Sequence, residues 1–77
     1  MERERHGPVE GTTVFWDDEE EWGALASPEV EGEVWAFLGN LKMDGYRSLR
    51  VGQPVRFEYE TPGQDGYPHR AVSVQPL

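Results

Sequence analysis

The residues in this chain with the greatest capacity for chemistry are among its large aromatics, which include Phe15, Trp16, Trp22, Trp35, Phe37 and Tyr46. Rings of this kind stack on flat ligands. Every nucleobase has a π-face, and laying one on a Trp, Phe or Tyr is worth roughly 1–3 kcal/mol whichever base it is. Several such rings in a row make a sequence-tolerant platform for a single strand. Other reactive arrangements are missing. His6 and His69 are far apart, with no cysteine and no Ser or Asp set around either, which argues against zinc ligation and triad catalysis. No glycine-rich phosphate loop is present. The acidic run Asp17-Asp18-Glu19-Glu20-Glu21 lacks the glycine-bearing tight loop of an oxygen-ligand cation site and reads as a solvated loop. No metal and no cofactor is expected.

Seventy-seven residues make one small domain, too short for a deep catalytic cleft of its own, so an enzyme is not expected. The absence of cysteine suits a reducing compartment. No apolar run reaches the length needed to cross a bilayer, and Met1-Glu2-Arg3-Glu4-Arg5-His6-Gly7-Pro8 lacks the apolar segment of a signal peptide. A cytoplasmic monomer without a membrane partner is expected. The formal charge of -8 repels polyanions, so local Lys and Arg matter more than the total. Residues 1 to 36 hold eleven acids against Arg3 and Arg5, whereas residues 37 to 77 hold Asp44, Glu58, Glu60 and Asp65 against Lys42, Arg47, Arg50, Arg56 and Arg70. The second half is slightly basic and the acid lies in front.

Short β-type segments must position these groups. Thr12 to Trp16 is β-branched and aromatic, Trp22 to Ser27 is a second short strand stopped by Pro28, and Glu33 to Leu38 a third. Gln53 to Glu60 alternates, with Val55, Phe57 and Tyr59 on one face, and His69 to Gln75 completes the set after the turn Pro62-Gly63-Gln64-Asp65-Gly66. Period-two alternation predicts a core of Leu25, Val34, Ala36, Val55, Phe57, Val72 and Val74, with Tyr59 also on the core side. It turns Trp22, Trp35 and Phe37 outward, opposite Gly23, Val34 and Ala36. Residues 1–9 read as a flexible N-terminal tail and 10–77 as the domain. Five short strands without helical periodicity predict an all-β, five-stranded antiparallel barrel, since closure removes the exposed sheet edges of a small open sheet.

The run Gly45-Tyr46-Arg47-Ser48-Leu49-Arg50-Val51-Gly52-Gln53-Pro54-Val55-Arg56-Phe57-Glu58 resembles the second half of a cold-shock domain. Upstream, the family's first strand, Gly-x-Val-x-Trp-Phe-Asn, is similar to Gly11-Thr12-Thr13-Val14-Phe15-Trp16-Asp17, with the two aromatics in swapped order. That order leaves open which of Phe15 and Trp16 faces out. The family's Lys-Gly-Phe-Gly-Phe-Ile motif falls on Glu20-Glu21-Trp22-Gly23-Ala24-Leu25. Its Val-Phe-Val-His-Phe motif falls on Val34-Trp35-Ala36-Phe37-Leu38. Trp22 and Trp35 keep stacking rings, Ala24 and Leu38 replace rings, Phe37 replaces histidine and Glu20 replaces lysine. Tyr46 stands where the family places a loop aromatic.

The resemblance implies an OB-type barrel that binds single-stranded RNA or DNA through Phe15 or Trp16, Trp22, Trp35, Phe37 and Tyr46, with Arg47 as the nearest cation for phosphate or stacking. It implies a role as an RNA chaperone or transcription-linked cold-shock protein. The acidic substitutions imply weak affinity. The alternative is a repurposed barrel that uses the same aromatic face, ringed by Asp17 to Glu21, to capture a basic protein, because charged rims steer association by sign.

Overall fold

A computed structural model describes residues 4–43 and 47–77 of the chain. Five strands, β1 (Glu4–Asp17), β2 (Trp22–Ala26), β3 (Val34–Phe37), β4 (Pro54–Thr61) and β5 (His69–Pro76), are accompanied by one 3-10 turn at Leu38–Asn40 among the described residues. They close into a barrel in the order β1-β2-β3-β5-β4, with β4 returning to β1. The all-β, OB-type barrel is as the sequence predicts, but the fully antiparallel arrangement is corrected at one seam. Strands β3 and β5 run parallel, placing Val34 opposite His69 and Trp35 opposite Arg70. The other four neighbouring pairs are antiparallel. The cause is parity: directions around a closed ring alternate throughout only when the number of strands is even. No described helix is long and apolar enough to cross a membrane.

Strand β1 does two jobs. Its first part pairs with β4 from Glu4 opposite Thr61 to Thr12 opposite Pro54, and its last part pairs with β2 from Thr12 opposite Ala26 to Asp17 opposite Trp22. At the crossing, a Cβ on Gly11 would lie 2.0 Å from the Ala26 carbonyl oxygen, so the two backbones meet there only because residue 11 has no side chain. Residues 4–9, expected in the tail, belong to this strand. Their charged alternation hides the strand because tertiary partners supply its support. Arg5 Nε donates to Glu58 Oε1 at 2.8 Å, and the His6 ring lies 5.1 Å from that of Tyr59.

The buried cluster is Leu25, Val34, Ala36, Leu41, Leu49, Val55, Phe57, Ala71 and Val74. Six of the seven predicted core positions are therefore buried. Val72 is corrected: it is half-buried, and Ala71 takes the inward place. Glu58 pairs with Ser73 while Tyr59 pairs with Ala71, so Val72 is an extra residue that resets the alternation of β5. Tyr59 is half-buried against the core at one barrel end, with the His6 and His69 rings each 5.1 Å away. Leu41 and Leu49 enter from the long β3–β4 connection. The Lys42 amide donates to the Val74 carbonyl at 2.6 Å and anchors its start beside β5.

These placements separate two substitutions. Phe57→Ala removes a ring that is 1% exposed and is expected to cost about 3–5 kcal/mol. Val72→Ala, at the bulge, is expected to cost about 1 kcal/mol. Urea unfolding followed by circular dichroism measures both, and equal losses would contradict the bulge.

Candidate nucleic-acid interface

A bulge in β1 decides which of its two adjacent rings faces outward. Thr13 pairs with Leu25 and Phe15 with Ala24, leaving Val14 unpaired between them. The extra residue turns Phe15 outward, 41% exposed, and Trp16 inward over Gly23. A Cβ on Gly23 would sit 2.3 Å from the Phe15 carbonyl oxygen and 2.5 Å from Trp16 Cε3, so glycine is what admits the indole. Trp16 packs against the core, and its Nε1 donates to Asp18 Oδ1 at 3.0 Å. It is a wall of the barrel and does not join the aromatic face.

Phe15, Trp22, Trp35 and Phe37 come together on that face. Ala24 pairs with Phe15 on one side and Trp35 on the other, and Trp22 pairs with Phe37, so the four side chains project from three adjacent strands. Ala24 is fully buried between its two aromatic neighbours. The Phe15 and Trp22 rings are 5.1 Å apart and tilted, whereas Trp35 and Phe37 are 6.0 Å apart with only 3° between their planes. Phe37 is 43% exposed and lies against Gly39 of the 3-10 turn, where a Cβ would be 2.6 Å from its Cε2.

Tyr67, which the sequence reading left unassigned, joins from the β4–β5 loop and meets Trp22 edge-on at 6.0 Å. The only sequence signal for it was an aromatic just after the turn-forming Asp65-Gly66. Tyr46 lies outside the described residues. Arg47 is exposed in the β3–β4 connection, and no described contact brings it onto the aromatic face.

The rings bound two adjoining clefts. One, of about 520 Å³, is lined by Glu20, Trp22, Trp35, Phe37 and Asp65. The other, of about 270 Å³, shares Trp35 and Phe37 and adds Asn40, Gln64 and Arg70. The acidic run is a tight turn that places Glu20 at the rim. Asp17 Oδ1 accepts the amides of Glu19 and Glu20 at 3.0 Å each, Glu21 takes a φ of 64°, and its carbonyl accepts the Leu38 amide at 2.9 Å.

Cations are mostly engaged elsewhere. Arg56 pairs with Glu10 and Arg5 with Glu58, each at 2.8 Å, and Arg70 is held by Glu60 and by Gln64. Among the described residues, Lys42, Arg47 and Arg50 carry no side-chain ion pair, and all three lie in the β3–β4 connection. No group of three His, Asp or Glu side chains among the described residues is placed to hold a metal ion.

The chain is 32% identical to the cold shock-like protein CspD of Vibrio cholerae over 67 residues, covering 87% of this chain and 84% of that protein. It belongs to the cold-shock family. Its similarity to CspD of Escherichia coli is 37% over 51 residues, 65% of this chain and 69% of the relative. With the cold shock protein ScoF of Streptomyces coelicolor it is 36% over 56 residues, 73% and 82% of the two chains. No protein-family model matches it. As a cold-shock protein it is not an enzyme.

Asp18 joins two loops of this cold-shock barrel, since Ser48 Oγ donates to the same Oδ1, at 2.6 Å, that accepts Trp16 Nε1. Asp18→Ala is expected to shift the indole N–H resonance of Trp16 while leaving those of Trp22 and Trp35 in place, and to cost about 1 kcal/mol or less because the bonds are exposed. A two-dimensional NMR spectrum and a thermal melt check both.

Proposed function

We propose that this cold-shock protein binds single-stranded RNA or DNA, weakly and with little sequence selectivity, on the face formed by Phe15, Trp22, Trp35 and Phe37, with Tyr67 at its edge and with Tyr46 and Arg47 as further contacts. The observation that carries the reading is the run of outward-facing rings across β1, β2 and β3, with Trp35 and Phe37 parallel to within 3°. Two parallel rings accept successive bases lying in parallel planes, which is how a flexible strand is held without reading its sequence. Weakness follows from charge. Glu20 and Asp65 line the larger cleft, while Arg5, Arg56 and Arg70 are tied into ion pairs, so little counterion release is available on this face. The protein acts as a monomer in the cytoplasm, as a chaperone of RNA or in transcription.

A second reading draws on the same two carboxylates. An apolar platform with an acidic rim complements a Lys- or Arg-rich protein segment. Parallel titrations of Trp emission with a short pyrimidine oligonucleotide and with a polycationic peptide, both at low salt, divide the two. Saturation by the oligonucleotide supports the first reading, and response to the cation alone supports the second.

Two variants test the platform. Trp35→Ala is expected to keep the fold and to weaken strand binding by about 1–3 kcal/mol, the usual worth of one stacked base. Unchanged affinity in a folded variant would remove Trp35 from the site. Glu20→Lys is expected to tighten binding at low salt, with a gain that shrinks as added salt brings the Debye length to about 10 Å or less. A gain indifferent to salt would show that phosphate repulsion is not what Glu20 exerts.

A further inference from the structure

The larger cleft sets two carboxylates beside three aromatic rings. Glu20 comes from the β1–β2 turn and Asp65 from the β4–β5 loop, and the two flank Trp22, Trp35 and Phe37. Both have set backbones: the Glu20 amide is held by Asp17 Oδ1 at 3.0 Å, and Asp65 sits at a φ of 53°. One Asp65 oxygen accepts Gln64 Nε2 at 3.1 Å, and no described donor engages the Glu20 carboxylate. Resting on the single-strand reading above, we propose that this cleft selects guanine over uracil or thymine, with Glu20 and Asp65 as the selecting residues.

The argument is one of donors and acceptors. A base stacked on a ring turns its edge toward the periphery of that ring, and Glu20 and Asp65 line the same cleft as the rings. An ionised carboxylate accepts and never donates. Guanine presents N1–H and the N2 amino group side by side, a pair of donors spaced to meet the two oxygens of one carboxylate. Cytosine and adenine present one amino group beside a ring-nitrogen acceptor. Uracil and thymine present a single N3–H between two carbonyl oxygens, whose lone pairs oppose the carboxylate. A site whose polar groups go unpaired with the wrong ligand discriminates more strongly than one that differs only in fit. The adjoining cleft lacks this bias, because Arg70 there only donates and the amides of Asn40 and Gln64 both donate and accept. The acids that repel the phosphate backbone thus acquire a role at the base edge.

The test uses the whole chain at low salt, with Trp emission as readout. The ligands are a heptamer of uridine and three heptamers carrying one central guanosine, cytidine or adenosine. The guanosine strand is expected to bind about three- to tenfold more tightly than oligouridine, with adenosine and cytidine between them. E20Q and D65N together are expected to bring the four affinities together, because an amide also donates to a carbonyl. Circular dichroism of the double variant checks that it folds; should it fail, each single variant is expected to reduce the guanosine preference. Oligouridine binding as well as the guanosine strand, or a preference that survives in the folded variants, overturns the base assignment and leaves strand binding standing. No binding by any strand, with saturable response to a polylysine peptide, overturns both and gives the face to a basic protein.

Discussion

The barrel closes only because β1 hydrogen-bonds on both of its edges, to β4 along its first part and to β2 along its last. A chain this short without disulfides gains stability by covering every sheet edge and by burying one continuous cluster, and a strand shared between two neighbours does both. The demands on β1 are correspondingly local. It must bend at Gly7 and Pro8, where the register with β4 shifts and Gly7 takes a φ of 101°. It must also approach β2 closely at Gly11 and absorb an extra residue at Val14. Were the Val14 bulge absent, Phe15 and Trp16 would exchange faces and the aromatic surface would lose its first ring.

Closure also divides the chemistry of the chain. Alternating positions on β2 and β3 send Leu25, Val34 and Ala36 into the core and Trp22, Trp35 and Phe37 outward, so core and platform are built from interleaved residues of the same short strands. On the far side, β4 exposes Arg56 and Glu58, which are matched by Glu10 and Arg5 of β1. Such exposed pairs contribute little to stability, but they leave those guanidinium groups already engaged. The electrostatic character of the aromatic face is therefore set by the turns at its border, where Glu20 and Asp65 stand.

The loops are part of the same construction. Leu41 and Leu49 reach the core from outside the strands, and Asp18 gathers Trp16 and Ser48 onto one carboxylate oxygen, linking the acidic turn to the β3–β4 connection. The acidic run that reads as a solvated loop is thus an ordered border of the platform, held by Asp17 from within and by the Leu38 amide of the 3-10 turn.

The sequence by itself determined the strand set, most of the core and the outward aspect of Trp22, Trp35 and Phe37, because period-two alternation is a local property that the pleat converts directly into facing. The resemblance of Gly11 to Glu58 to the cold-shock pattern pointed to the family that the curated relatives establish. Tertiary structure alone decided what depends on register. The bulges at Val14 and Val72 invert parity without a local signal, which is why Phe15 rather than Trp16 faces out and Ala71 rather than Val72 is buried. Residues 4–9 form a strand only because β4 is there to pair with them. Tyr67 and Asp65, distant in sequence from Trp22 and Glu20, reach the same cleft because ring closure brings the β4–β5 loop beside the β1–β2 turn. Alternation carries no information about such meetings, since they are fixed by which strands become neighbours and not by the residues along any one of them.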